Sequence, residues 1–80
     1  MKTRKEVKWF AEQMEKVLRK NDKKGGWKDE DPLNLVRQIQ ENTHELDRML
    51  WNNPLKKKLK TCVDIANYAM MVADKEKSDV

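Results

Sequence analysis

Long hydrophobic runs are missing from this 80-residue sequence, and glycine and proline occur only twice each. Scarce glycine and proline, together with 40% charged residues, favour helices over strands. A membrane span needs about 20 consecutive apolar residues, so none is expected, and no membrane partner either. Residues 1–10 are charged and lack the apolar segment of a signal peptide, so we expect no secretory signal.

Cysteine and histidine are nearly absent as well, with one of each, Cys62 and His44. A single cysteine cannot form an internal disulfide, and a lone thiol in an apolar segment suits a reducing compartment. A Cys/His cluster for a metal is excluded. One histidine without such partners is more typical of a surface residue than of a ligand. We therefore expect a cytoplasmic protein.

Hydrophobic periodicity predicts three helices, over about 2–20, 32–51 and 54–74, followed by a polar tail at 75–80. Asp31-Pro32 and Asn53-Pro54 supply the capping residue and first-turn proline that begin the second and third helices. Apolar residues recur every three or four positions in the first two helices. The inward stripes are predicted to contain Val7, Phe10, Met14, Val17 and Leu18, and then Leu35, Val36, Ile39, Thr43, Leu46, Met49 and Leu50.

The short length of the chain predicts a single domain, 1–80, that is completed by oligomerisation. A chain of this size buries only about 60% of its surface on folding. The second half of the third helix, residues 62–73, is apolar almost all round, which is more surface than two neighbouring helices cover. We therefore expect an all-α, three-helix chain whose helices pair with a second copy, as a dimer or a larger homo-oligomer.

Positive charge is concentrated in two places, although the net charge is only +4. Such surfaces attract nucleotides, nucleic acid or acidic proteins, and they are also common as solvated lysine-rich faces. No nucleic-acid-binding motif accompanies the charge, so nucleic acid is the less favoured partner. The two groups are Arg19, Lys20, Lys23, Lys24 and Lys28, and then Lys56, Lys57, Lys58 and Lys60.

Asp64 and Asn67 are the polar residues of most interest, because they lie three apart on one face of the apolar third helix. A buried carboxylate is normally paired or bound to a metal, so we expect either a metal or a partner across the interface, which would be a lysine or a helix N-terminus. On the second helix, Glu41 and Glu45 lie one turn apart beside the apolar stripe. Carboxylates on adjacent helices build sites for hard cations, although glutamates at this spacing most often face solvent.

Three segments of the sequence resemble the short, phage-type branch of the MazG-like nucleotide pyrophosphohydrolases: MEKVLRKNDKKGGW, QENTHELDRML and TCVDIANYAMMVAD. This resemblance implies an all-α fold with an oligomeric four-helix core. It also implies Mg²⁺-dependent cleavage of nucleoside triphosphates to monophosphate and pyrophosphate, with the metal held by a Glu-Glu-x-x-Glu and a Glu-x-x-Asp motif. Mg²⁺ prefers such oxygen ligands, and it would generate the attacking hydroxide.

The resemblance places Glu41, Glu45 and Asp64 at acidic positions of the metal motifs. Asn42 and Thr61 stand where the family has its two other acids, so two negative charges are missing. Electrostatic stabilisation is usually the largest catalytic term, so we expect weak Mg²⁺ binding and severely reduced or absent turnover.

The resemblance also places Lys23, Lys24, Trp27 and Asn67 near the nucleotide. Lysine suits phosphate and an indole suits base stacking. Trp27 has the alternative role of closing one end of the bundle, since large aromatic residues often anchor small cores.

The function expected from these features is binding on a catalytically impaired MazG-like scaffold. The ligand would be a nucleotide or a protein partner, such as a host or defence factor. If the protein is encoded by a phage, its location would be the cytoplasm of the host cell. The alternative is a Mg²⁺-dependent pyrophosphohydrolase with a reduced metal site.

Overall fold

The computed structural model describes residues 2–52 and 54–77, and it consists of three α-helices without a strand in those ranges. Helix α1 spans Lys5–Asn21, α2 spans Pro32–Met49 and α3 spans Leu55–Lys77. A 3-10 turn, Asp22–Lys24, follows α1 directly. The prediction of an all-helical chain is confirmed.

Local chemistry explains the start of α2 and the end of α1. Asp31 accepts a hydrogen bond from the Leu33 N–H at 3.0 Å, and Pro32 occupies the first turn of α2. After the 3-10 turn the chain reverses at Gly25, whose φ of 88° is readily adopted only by glycine. The predicted cap Asn53 lies outside the described residues.

Two helix ends differ from the expected bounds. Helix α1 begins at Lys5 rather than near Lys2, and no side chain caps its first turn. Helix α3 continues to Lys77, so the first half of the expected polar tail is helical. The remainder of that tail, 78–80, lies outside the described residues. In α3 the extra turn brings Lys75 into contact with the loop before α2.

Helices α2 and α3 form a helical hairpin, and α1 packs on α3 alone. Thr61 of α3 lies against Met49 of α2, and Asn67 of α3 hydrogen-bonds the Met14 carbonyl of α1. Among the described residues no backbone contact joins α1 to α2. Because both helices pack on α3 without a close backbone approach to each other, a gap is left between them.

The core of the single protomer is small. Within the described residues only Leu35 and Val63 are buried apolar side chains, with 3% and 2% of their surface exposed. Several members of the predicted inward stripes, Val7, Val36 and Leu50, are exposed, and so is Thr43, whose hydroxyl donates to the Ile39 carbonyl at 2.7 Å. The stripes were predicted too wide because each of these helices packs on one neighbour, which covers a narrower row of side chains.

None of the described helices combines the length and apolar character needed to cross a bilayer.

Candidate functional site

A cleft of about 360 Å³ lies over α3, where α1 and α2 diverge. Its size falls within the range typical of small-ligand sites. All three helices and the loop between α1 and α2 contribute to its walls. The lining residues are Val17, Leu18, Asn21, Asp22, Gly25, Gly26, Trp27, Glu30, Leu35, Gln38, Asp64, Asn67, Tyr68 and Met71.

Asn67, one of the lining residues, has a buried hydrogen-bond acceptor without a partner. Only 3% of the residue is exposed, and its Nδ2 donates to the Met14 carbonyl at 3.3 Å. A carbonyl can only accept, so the amide nitrogen must face Met14 and the oxygen must point elsewhere. Among the described side chains, Asn67 Oδ1 is the one buried polar atom without a hydrogen-bond partner. Leaving such an atom unpaired is costly, which makes it a candidate to receive a donor from a ligand.

Trp27 lines the cleft from the loop side, and it is held in place by the end of α3. Its indole Nε1 donates to Asp74 Oδ2 at 3.0 Å. The Lys75 ammonium donates to the Trp27 carbonyl at 3.4 Å and to the Lys28 carbonyl. Trp27 is therefore partly buried and forms a wall of the cleft, while its contact with a nucleotide stays a prediction.

Asp74 is the described residue whose carboxyl pKa clearly departs from its ordinary value. The N–H donated by Trp27 holds the pKa of Asp74 below 3.8. Lys77, with its Nζ 3.5 Å from Asp74 Oδ1, and Lys28 act in the same direction, whereas partial burial acts against them. The carboxylate is therefore ionised at neutral pH and remains an acceptor for the indole.

The charged residues that line the cleft are acidic. Asp22, Glu30 and Asp64 line it, and among the residues that the structure describes no lysine or arginine does. Asp64 is partly buried and accepts from Lys60 Nζ at 3.1 Å, so its lysine partner lies one turn away on the same helix rather than across an interface. Lys23 and Lys24 are exposed in the 3-10 turn beside the lining residues Asp22 and Gly25. They lie at the edge of the cleft rather than in its wall.

The residues predicted to bind a metal are divided between two surfaces. Glu41 and Glu45 are exposed on α2 and outside the cleft lining, and Glu45 pairs with Arg48 at 3.2 Å. Asp64 faces the cleft. In the described ranges, no three Asp, Glu, His or Cys side chains lie close enough together to hold a metal ion. A metal site built from Glu41, Glu45 and Asp64 stays a prediction.

Both altered motif positions make hydrogen bonds within their own helices. Asn42 Nδ2 donates to the Gln38 carbonyl at 2.8 Å. Thr61 is buried, and its hydroxyl donates to the Lys57 carbonyl at 3.2 Å beside the sulfur of Met49. The Thr61 site thus fits a small polar side chain that is satisfied locally, which a longer, charged side chain would disturb.

Several cleft residues were not singled out from the sequence. Tyr68 and Met71 line the cleft with Asn67, and Asp74 and Lys75 hold the loop. Positions 64, 67, 68, 71, 74 and 75 repeat at intervals of three and four, so they share one face of α3. That spacing was a usable signal. Gln38 could not have been found from the sequence, because it is one of many polar residues on α2.

The comparisons with known proteins returned nothing for this chain: no family model, no curated protein and no solved structure matches it. The similarity to the MazG-like family therefore rests on the three sequence segments alone.

Proposed function

We propose that this protein binds a nucleotide in the cleft between α1, α2 and α3, on a MazG-like scaffold with little or no catalytic activity. The observation that carries the proposal is the buried Asn67 Oδ1, an acceptor without a partner that belongs to a cleft of ligand size. The sequence resemblance supports the same ligand class.

A nucleobase suits the inner part of the cleft. Every base has a flat π face and at least one N–H or amino donor in its pairing edge or its ring system. The Trp27 ring supplies a stacking surface and Asn67 Oδ1 supplies an acceptor for such a donor. Because the hydrogen bond to Asp74 restrains the indole, little side-chain freedom would be lost when the base binds.

The phosphates would lie outside the cleft, near its edge. The acidic lining would repel them, whereas the exposed Lys23 and Lys24 lie beside the opening, next to lining residues. A compact ammonium group is well suited to bind phosphate as a point charge. This arrangement gives Lys23, Lys24, Trp27 and Asn67 the binding roles expected for them.

Reduced catalysis follows from the two altered positions. Neither Asn42 nor Thr61 supplies negative charge, and each is hydrogen-bonded to its own helix. A site with two fewer negative charges would hold a divalent cation less tightly and would stabilise the transition state less. Binding without efficient turnover is the consequence.

A second copy of the chain is part of this proposal. With Leu35 and Val63 as its buried apolar residues, the described protomer has a very small core. Exposed Leu33 and Val36 on α2 offer apolar surface for pairing. Pairing of helices from two copies into a four-helix-type bundle would bury them, as helical proteins of this size require.

A weak pyrophosphohydrolase is the second candidate function. The observation in its favour is that Asp64, which matches a family metal ligand, faces the cleft. A reduced site for one metal would also need Glu41 and Glu45 as ligands, and in the single protomer both lie outside the cleft lining. Incubation with nucleoside triphosphates and deoxynucleoside triphosphates, with Mg²⁺ or Mn²⁺, followed by chromatography for monophosphate, separates the two candidates. Turnover above that of a Glu45→Ala control would establish the enzyme.

Calorimetric titration of the same nucleotides, with and without Mg²⁺, tests the binding proposal. We expect saturable binding that Asn67→Leu weakens by about tenfold, because the shape is kept and the acceptor is lost. Asn42→Leu is the matched control, since Asn42 is a partly buried asparagine outside the cleft lining. It should bind as the unchanged protein does, and circular dichroism should show that both variants are folded.

Absence of binding by every nucleotide in the panel would contradict the proposal. Equal weakening by both substitutions would also count against it, because the cleft would then not be the binding site. A protein partner would become the leading alternative in either case.

A further inference from the structure

Three apolar side chains project from the connection between α2 and α3. Leu50 and Trp51 follow α2, and Leu55 begins α3. Trp51 is 85% exposed and Leu55 is 74% exposed, the two highest values among the exposed large apolar residues described. We refer to Leu50, Trp51 and Leu55 as the hairpin tip. Large apolar residues grouped in solvent mark an interaction surface more often than residues scattered singly.

The hairpin tip is surrounded by positive charge. Between positions 48 and 60 the chain carries five basic residues, Arg48, Lys56, Lys57, Lys58 and Lys60, and no acidic residue. Arg48 pairs with Glu45 and Lys60 with Asp64. In the described part of the chain, Lys56 and Lys57 are exposed and form no salt bridge. Uncompensated lysines therefore flank an apolar projection.

We propose that the hairpin tip binds the surface of an anionic lipid bilayer. Indole rings favour the interface between headgroups and acyl chains, where leucine side chains reach the apolar region. The neighbouring lysines would be attracted by the negative headgroups. Peripheral binding of this kind needs no helix that crosses the membrane. The proposal therefore departs from the expectation of no membrane partner, which was drawn from the lack of a membrane span.

Other partners fit the surface less well. Protein interfaces are depleted in lysine, and a symmetric contact between two hairpin tips would set lysines against lysines. Single-stranded nucleic acid would use Trp51 and the lysines, but it would leave Leu50 and Leu55 in water. The nucleotide cleft is lined by other residues, so this surface is independent of the proposed function.

Sedimentation with vesicles tests the proposal on the whole protein. We expect binding to vesicles of phosphatidylcholine with 30% phosphatidylglycerol (about the anionic fraction needed for a strong surface potential) and little binding to phosphatidylcholine alone. Trp51→Ala should lower the partition coefficient at least about fivefold, and so should Lys56→Glu with Lys57→Glu. Trp9→Ala, an exposed tryptophan on another helix, is the matched control and should bind normally.

All four substitutions affect exposed positions, so circular dichroism should show folded variants. No sedimentation with anionic vesicles would overturn the proposal. Binding that depends on the lysines but not on Trp51 would also overturn it, because insertion of the hairpin tip would be absent. A Trp51-dependent affinity for oligothymidylate, or a Trp51-dependent dimer, without vesicle binding would assign the surface to nucleic acid or to a second copy instead.

Discussion

The Trp27 indole donates a hydrogen bond to the Asp74 carboxylate at 3.0 Å, joining residues 47 positions apart in the sequence. Lys75, the next residue along α3, donates to the backbone carbonyls of Trp27 and Lys28. Side chain and backbone of the loop are thus both attached to the last turns of α3. This attachment positions the Trp27 ring as a wall of the cleft.

Replacing Trp27 with phenylalanine should weaken that attachment while keeping an aromatic ring. The lost bond is charge-assisted but partly exposed, so its contribution is at the lower end of the usual range. We expect the thermal midpoint to fall by roughly 4 °C, measured by circular dichroism. The matched control is Trp9→Phe, because Trp9 has no hydrogen bond among those described and the change should leave the midpoint nearly unaltered.

The stability of the protein should depend on the ionisation of Asp74. Its folded-state pKa lies below the ordinary value of 3.8, so the unfolded chain binds the proton more readily. The stabilisation is therefore complete above that value and is lost as the pH falls below it, through the folded-state pKa. Thermal unfolding from pH 6 to pH 2.5 should show the difference between the unchanged protein and Trp27→Phe narrowing below pH 3.8. A difference that stays constant across this range would show that the hydrogen bond does not set the pKa.

Val63 is the most deeply buried apolar side chain described, so its truncation should lower the stability of the protein more than truncation of an exposed valine. We expect Val63→Ala to lower the free energy of unfolding by about 2 kcal/mol, because methyl groups are removed from a packed site that cannot fully collapse. Val7→Ala makes the same chemical change at an exposed position, and it should cost under about 0.5 kcal/mol. Urea titrations of both variants give the comparison, and equal losses would place the core elsewhere.

Introducing the two acids of the MazG-like metal motifs provides a test of the proposed alignment of this sequence with those motifs. In the double variant Asn42→Glu with Thr61→Glu, the new carboxylate at position 61 would enter a buried site. Without metal, we expect a loss of about 3 kcal/mol in stability from an uncompensated buried charge. Addition of Mg²⁺ should raise the thermal midpoint and produce Mg²⁺-dependent nucleotide cleavage. A folded variant that neither binds Mg²⁺ nor gains activity would show that the motif has been placed wrongly.

Self-association should be detectable in solution. Sedimentation equilibrium at micromolar concentration is expected to give a dimer or a larger homo-oligomer, since one protomer leaves so much apolar surface exposed. Val36→Glu should raise the dissociation constant about tenfold by placing a charge in the apolar contact. Arg37→Glu, at the adjacent exposed position, is the control for added negative charge. A monomer throughout this concentration range would rule out the shared core.

The sequence indicated the positions of the helices well, because the interactions that begin and end a helix are local. Asp31 and Pro32 begin α2 through a side-chain cap and a pre-set backbone angle, which involve only neighbouring residues. The start of α1 was placed less accurately, since no capping side chain is found there. The last turn of α3 was missed because its polar residues look like a frayed end. Lys75 nevertheless contacts loop carbonyls that are distant in sequence.

The cleft was indicated only in part. Asp64 and Asn67 were recognised as unusual because they are polar residues in an apolar helix, and both line it. Their partners were less apparent, since Lys60 is one of many lysines and Met14 contributes a backbone carbonyl, which every residue has. The hairpin tip was not recognised at all, because Leu50 and Leu55 follow the apolar pattern of residues that face inward.

The sequence by itself determined the helical character of this protein, the caps that begin its second helix, and the polar residues that stand out in its third. These features depend on backbone propensity and on spacing within one helix, which are properties of short segments. Only the tertiary structure decided which apolar residues are covered, that Asn67 has a free acceptor, and that Trp27 is tied to Asp74. Those outcomes depend on how α1 and α2 pack on α3, and packing joins residues that have no relationship along the chain.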